Sequence, residues 1–288
     1  MFTFNFPDPS SAENGAKADD KQEQCTLVDD ISHLEPFNEI LESAYFPSKE
    51  IPVVSFKVTD DLSIKCLDSH EVEKCLINKQ KEDSCITEAV KQHSDLIPNV
   101  YEGGMKVWEC AIDLTDYLHK IHLQFNGKNV LEVGCGAGIP GIMSMLKGAD
   151  NVHLQDYNKE VIEAYTIPNV ILNKTDQCKC TCRYFSGDWN YFREQMIQEQ
   201  VRYDIILTAE TIYKTENYKK LTQIFHSFLT DEGVIFVAAK SHYYGVGGGV
   251  CDFECFVKKE GIFHIETCCT IDAGVPRQIL KLTRKSSG

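Results

Sequence analysis

The sequence predicts an α/β fold: a mostly parallel, Rossmann-like sheet with helices on both faces and an antiparallel hairpin at its end. Three observations predict it. From about residue 97, helix-like and strand-like segments alternate through the rest of the 288-residue chain, the pattern of successive βα units. The first core strand runs straight into a glycine-rich turn, Gly134-Cys-Gly-Ala-Gly138. The last two apolar segments have no helical stretch between them, so they are expected to pair antiparallel.

Residues 1–48 are polar and acidic and include the turn-rich Ser10-Ser-Ala-Glu-Asn-Gly15, a composition that predicts a largely disordered tail. Residues 49–95 read as an N-terminal extension packing on the core. A strand is expected at Pro52-Val-Val-Ser-Phe-Lys-Val58 and a short helix over residues 69–77. The main domain spans 96–288. It opens with a helix over 106–121, where Val107, Cys110, Ala111, Leu114 and Leu118 recur at helical spacing. Short apolar strands follow at 129–133, 151–155, 182–185, 203–208 and 233–239. Helices are expected at 138–147, 159–165, 189–199, 217–228 and 251–259. The hairpin strands fall at 263–267 and 278–282, joined through Asp272-Ala-Gly-Val-Pro276. No internal repeat is visible.

With 43% hydrophobic residues the chain can bury a sizeable core. No apolar run approaches the ~18–20 residues that span a bilayer, and Met1-Phe-Thr-Phe-Asn-Phe-Pro-Asp8 lacks the basic flank and apolar stretch of a signal peptide. No membrane association or secretion is expected. The net charge of −14 is uneven: residues 1–50 carry 11 Asp or Glu against 3 Lys. The near-neutral body shows no basic face, so no direct nucleic-acid site is expected. The 13 cysteines are irregularly spaced and read as reduced thiols. Cys178-Lys-Cys-Thr-Cys182 lacks a fourth ligand nearby and reads as a loop entering a strand, so no metal is expected.

The chemistry concentrates at the carboxyl ends of the strands. Gly134, Gly136 and Gly138 let the backbone turn sharply and approach a ligand. That signal alone is ambiguous, because Gly136-Ala-Gly-Ile-Pro-Gly141 also fits the dinucleotide pattern, with Asp156 20 residues after Gly136. The context favours an adenosyl group. The Asp156 carboxylate, in Gln155-Asp-Tyr-Asn158, can accept both ribose hydroxyls. In Ser186-Gly-Asp-Trp189, Asp188 can bond the adenine amino group and Trp189 can stack on the ring. Either acid can alternatively cap the helix that follows it. The fourth strand ends in Thr208-Ala-Glu-Thr-Ile-Tyr213, where Glu210 can orient an incoming nucleophile and Tyr213 can wall the pocket.

Taken with Val100-Tyr-Glu-Gly-Gly-Met-Lys-Val-Trp-Glu-Cys110 and Lys240-Ser-His-Tyr-Tyr-Gly-Val-Gly-Gly-Gly249, these motifs occur in an order that resembles the eukaryotic protein-histidine methyltransferases modifying large ribosomal subunit protein three, over about residues 93–284. The resemblance implies a seven-stranded class I methyltransferase sheet with S-adenosyl-L-methionine as cofactor. It implies cofactor contacts from Val107, Trp108, Glu109, Cys110 and Ala111, from Gly134, from Gln155, Asp156 and Tyr157, from Gly187, Asp188 and Trp189, and from Thr208 or Ala209. It also implies methylation of the tele nitrogen of a ribosomal-protein histidine, with effects on ribosome biogenesis and translation, in the cytoplasm and nucleus, including the nucleolus. The enzyme would be a monomer meeting its substrate free, on a chaperone or on a pre-ribosome. Glu132, and Ala137 or Ala209, depart from the Asp and Ser common in relatives, without removing a chemical group the mechanism needs.

Neutral imidazole has a free lone pair near pH 7, so alignment suffices without a strong base. Glu210 is expected to accept the other ring N–H and select the tautomer. His242, Tyr243 and Gly247, in or beside the Gly245-Val-Gly-Gly-Gly249 loop, are expected to shape the substrate entrance. Three rival readings are a protein-lysine methyltransferase of the neighbouring family, a non-catalytic module docking on a ribosomal partner or chaperone, and a nicotinamide oxidoreductase.

Overall fold

A strand buried on both sides must feed two cores, because successive side chains point to opposite faces of the sheet. The computed structural model, which describes residues 34–42, 51–58, 60, 62–79, 85–92 and 94–285, shows this along the central strands. Val130, Ile205, Leu207, Phe236 and Ala238 join one core, whereas Leu131, Val133, Ile206, Ile235 and Val237 join the other.

In chain order, β1 (Asn38–Ile40), β2 (Val53–Lys57), β3 (Ser63–Leu67), α1 (Ser69–Lys79) and α2 (Cys85–Lys91) precede α3 (Glu109–Lys120). The core then runs β4 (Asn129–Val133), α4 (Ile139–Leu146), β5 (Asn151–Asp156), α5 (Lys159–Val161), a π-helical turn (Ile162–Thr166) and α6 (Ile167–Asn173). It continues with β6 (Thr181–Ser186), α7 (Trp189–Gln198), β7 (Tyr203–Ala209), α8 (Tyr218–Phe228), β8 (Leu229–Lys240), α9 (Val250–Glu260), β9 (Phe263–Ile271) and β10 (Arg277–Arg284).

Among the described residues the main sheet has eight strands, ordered β1-β6-β5-β4-β7-β8-β10-β9. Strands β4 to β8 pair in parallel. The terminal hairpin pairs antiparallel, β10 lying between β8 and β9. The chain steps outward from β4 through β5 to β6, then returns to place β7 on the other flank of β4. Such a reversal opens a crevice past the carboxyl ends of the two central strands.

Seven of these strands match the expected plan, and β1 is an addition. Residues 34–42 fall in the stretch whose composition predicts disorder, yet β1 pairs antiparallel with β6. The reason is local partnership. The Phe37 ring stacks on Phe185 at 5.9 Å and lies 6.4 Å from Phe192. Arg183 grips both carboxylate oxygens of Glu39, and Lys174 grips Glu42. Acids that a composition count assigns to solvent are paired here. Residues 1–33 and 43–48 of the expected tail lie outside the described residues.

The helix after β5 runs much further than the expected 159–165. Pro168 has no N–H to return to the carbonyl of residue 164, and the helix widens into the π turn just before it. Thr166, on that turn, donates its hydroxyl to the Gly136 carbonyl at 2.6 Å. The β2–β3 hairpin docks on α6 through two asparagines. Asn169 accepts from the Leu67 N–H at 2.8 Å, and Asn173 bonds both the N–H and the carbonyl of Lys65. The other amide end of Asn169 donates to the Ala137 carbonyl at 3.2 Å, so one buried side chain ties the hairpin to the glycine turn. Asn169→Ala orphans both backbone groups. It should lower unfolding stability by about 1–3 kcal/mol, measurable as a reduced urea midpoint; a midpoint within experimental error of wild type would show that water replaces these bonds.

Candidate active site

The glycine turn after β4 is built on three left-handed residues, Gly134 (φ 64°), Gly136 (φ 47°) and Gly138 (φ 76°). At Gly136 a Cβ would also lie 2.9 Å from the Gly104 carbonyl oxygen, so the loop before α3 crosses directly over the turn. Between these backbones and the ends of β5, β6 and β7 lies an open cleft of about 920 Å³. It is lined by Val107, Trp108, Ala111, Gly134, Gly136, Asp156, Tyr157, Asp188, Trp189, Ala209, Glu210 and Tyr213 among the residues the sequence singles out.

Asp156 is buried, and its Oδ2 accepts the Gly136 N–H at 2.8 Å. Burial pushes its carboxyl up to about 6, against the opposing pull of the Gly136, Asn158 and Tyr157 N–H groups. Asp188 caps α7, accepting the Asn190 N–H at 2.8 Å, and its second oxygen takes the Lys220 ammonium at 3.0 Å. The capping alternative is therefore realised while Asp188 still lines the cleft; each oxygen keeps a further lone pair. Trp189 is pinned by a 2.9 Å bond from its indole N–H to Gln155.

Several expected contact residues stand behind the wall instead of forming it. Gln155 is fully buried, and its amide nitrogen donates to the carbonyls of Asp156 and Gly187, so it orients Trp189 from beneath. Thr208 spends its hydroxyl on the Val133 carbonyl and on Thr211, tying β7 to β4. Gly138 opens α4 against Leu154. Gly187 makes room for the N-terminal segment: a Cβ there would sit 2.5 Å from the Pro36 carbonyl oxygen. Cys110 is fully buried, and Glu109 lies 3.6 Å from the Lys240 ammonium.

At the far end Glu210 adopts φ 60°, rare for a residue with a side chain. Its carboxylate is buried, accepts the Tyr243 hydroxyl at 2.5 Å and faces Lys240 at 3.8 Å. Oε1 has no hydrogen-bond partner. Burial raises the carboxyl above its ordinary value, opposed by Lys240, the Cys110 thiol and Tyr243. Tyr243, expected at the substrate entrance, is thus buried beneath it because its hydroxyl serves Glu210. His242 is exposed and packs edge-on to Tyr244 at 4.8 Å. Gly247 is exposed, with nothing within 4 Å of where a Cβ would point. Its neighbour Gly248 donates to the Tyr213 carbonyl at 2.9 Å, and a Cβ there would meet the Ile212 oxygen at 2.4 Å. The triple glycine is a close backbone approach onto the turn that carries Glu210.

The cleft also holds Glu102, Lys106, Glu132 and Thr211, which the sequence reading did not assign. The Tyr213 hydroxyl donates to Glu102, and Glu102 also accepts the Asn99 N–H at 2.9 Å. The signal was present, since Glu102 belongs to the Tyr-Glu-Gly-Gly segment. Glu132 points under the turn and accepts the Gly141 N–H at 2.8 Å. Among the described residues no cluster of three His, Cys, Asp or Glu side chains is gathered as a metal site.

An adenosyl cofactor fits this donor set: an aromatic wall at Trp189, a buried carboxylate at Asp156 for vicinal hydroxyls, and a glycine turn whose backbone lines the cleft. Comparison with known proteins agrees. A family model described as Lysine methyltransferase matches residues 98–245. The Histidine protein methyltransferase 1 homolog of Bos taurus is 35% identical over 96% of this chain and 82% of its own length. The homolog of Mus musculus is 40% identical over 70% of this chain, and that of Dictyostelium discoideum 42% over 69%. This chain spans 62% and 63% of those two relatives. A structure from Streptococcus mutans described as a SAM-dependent methyltransferase shares the fold, with a TM-score of 0.53 at 12% identity over 83% of this chain and 57% of that one.

Burial pushes the Glu132 carboxyl up to about 8 from an ordinary 4.5. The folded chain therefore holds a proton that the unfolded chain has released between these values. The resulting stabilisation is complete below pH 4.5 and is lost as pH rises through about 8. In Glu132→Gln the urea midpoint should decline less from pH 5 to 8 than in wild type; parallel profiles would show that Glu132 is already ionised in the folded chain. The glycine turn, the acids that surround it and the relatives agree that this chain belongs to the histidine protein methyltransferase family, within the class I methyltransferases that use S-adenosylmethionine.

Proposed function

We propose that the chain transfers a methyl group from S-adenosylmethionine to the tele nitrogen of a histidine in a large-subunit ribosomal protein, protein three. The observation that carries this reading is Glu210: a buried carboxylate lining the cleft, with one oxygen held by Tyr243 and the other without a hydrogen-bond partner. When bound, the cofactor supplies an electrophilic sulfonium methyl. Glu210 Oε1, which has no hydrogen-bond partner and faces the Lys240 ammonium at 3.8 Å, accepts the N–H of the substrate imidazole, which selects the tautomer with its lone pair on the other nitrogen and stabilises the cation as it forms. Tyr213, locked by Glu102, walls the same pocket and excludes water. Asp156 accepts the ribose hydroxyls, and Trp189 stacks on the adenine. The ribosomal substrate, met free, on a chaperone or on a pre-ribosome, places the reaction in the cytoplasm and nucleus, carried out by a monomer.

A lysine-directed reading is favoured by one specific finding, the description of the matching family model. The two differ in pH dependence. A histidine nucleophile is deprotonated above its pKa near ~6.5, so the rate should level off above roughly pH 7. A lysine must lose a proton with a pKa near ~10.4, so the rate should keep climbing in alkali.

The deciding experiment incubates the full chain with ribosomal proteins and labelled S-adenosylmethionine and maps the label by mass spectrometry. Label on a histidine of large-subunit protein three is expected; label on lysine moves the function to the neighbouring family. In parallel, Asp156→Ala should weaken S-adenosylhomocysteine binding at least tenfold, by the loss of charge-assisted bonds worth about 1.5–3 kcal/mol. Unchanged affinity in calorimetry would remove Asp156 from the cofactor site.

A further inference from the structure

The N-terminal segment meets the cleft from outside, at the end assigned to the nucleoside. The Glu35 N–H donates to the Tyr157 hydroxyl at 3.2 Å, and that hydroxyl donates to the Asn99 carbonyl at 3.0 Å. The Glu35 carbonyl accepts the Asp188 N–H at 2.9 Å. Pro36 and Phe37 lie against Gly187, where φ is 119° and a Cβ would clash at 2.5 Å with the Pro36 oxygen. One residue, Glu35, thus holds the Tyr157 hydroxyl and the Asp188 backbone in register, both belonging to residues that line the cleft.

The anchors of this strap are all outside the cleft. Phe37 packs between Phe185 and Phe192. Glu39 and Glu42 pair with Arg183 and Lys174, and β1 adds a three-residue antiparallel ladder on β6. Without the strap, the Asp188 N–H and the Tyr157 hydroxyl each lose a partner. The Gly187 turn, at a left-handed φ, then also loses the backbone packed against it. This crossing by itself requires glycine at position 187 of the Gly-Asp-Trp motif.

We propose that Glu35, Pro36 and Phe37 are positioning residues of the cofactor site, setting nucleoside affinity by holding Tyr157 and Asp188 in place. The proposal rests on the assignment of this end of the cleft to adenosine.

The test uses the full chain with two ligands: S-adenosylhomocysteine, and 5′-methylthioadenosine, which keeps the nucleoside and lacks the amino-acid end. Phe37→Ala and Glu39→Arg loosen the strap without touching the cleft. Affinity for both ligands should fall by the same factor, roughly tenfold for two weakened hydrogen bonds, with faster hydrogen exchange at the Asp188 amide. A merely structural role predicts a lower melting temperature with unchanged affinity, and that result overturns the proposal. So does a loss confined to S-adenosylhomocysteine.

The wild-type chain supplies a second measurement that no folding defect can blur. Added salt screens the Glu39–Arg183 and Glu42–Lys174 pairs, so affinity for 5′-methylthioadenosine, uncharged at neutral pH, should weaken with ionic strength. A salt-independent affinity counts against the strap. Failure of wild type to bind either ligand would overturn the adenosine assignment and the proposal with it.

Discussion

The structure depends on how a carboxylate is kept at the buried carboxyl edge of a parallel sheet. Asp156 is 5% exposed, and a carboxylate so placed needs donors that do not move. The backbone supplies them: the Gly136 N–H points at Oδ2 because three alternate glycines, Gly134, Gly136 and Gly138, accept left-handed φ values. The same geometry turns the chain from β4 into α4, exposes a concave backbone to the cleft and lets Gly104 cross above it. Ligand cradle, acid and sheet topology are one arrangement and not three features placed side by side.

A second carboxylate solves the same problem differently. Glu210 sits where β7 ends, in a left-handed conformation that aims its side chain back into the protein. Its donor is a side chain, the Tyr243 hydroxyl, with Lys240 adding a positive field and the buried Cys110 thiol opposing the upward push of burial on its carboxyl. Tyr243 comes from the segment after β8, and Cys110 comes from α3. The surroundings of the acid are complete when α3 and the loop after β8 have both docked. The Gly248 contact with Tyr213 closes the same joint from outside.

Much of this was legible in the sequence. The seven strands and the terminal hairpin followed from period and punctuation, because two-sided burial writes continuous apolar runs between turn signals. Asp156, Asp188, Trp189 and Glu210 were legible because each lies at or just past the carboxyl end of a core strand. Roles that depend on where a side chain turns were not legible. Gln155 and Thr208 alternate away from the cleft, and nothing in a motif says which face of its strand a residue takes when both faces are buried. Tyr243 and His242 are adjacent in sequence, yet one is buried and the other exposed. The strand Asn38–Ile40 escaped because its acids are paired with Arg183 and Lys174, more than a hundred residues away, and composition cannot register such partners.

Gly141 and Glu132 carry a consequence for how such a chain can change over time. A Cβ at Gly141 would stand 2.7 Å from Glu132 Oε2 and 3.1 Å from Leu154 Cδ2. Alanine at position 141 therefore requires the Glu132 carboxylate to shift away from the Gly141 N–H that it accepts. Aspartate, one methylene shorter, withdraws the oxygen and removes the nearer of these two obstructions. The two positions are expected to drift as a pair, because a side chain at position 141 displaces the acid that position 132 places against it.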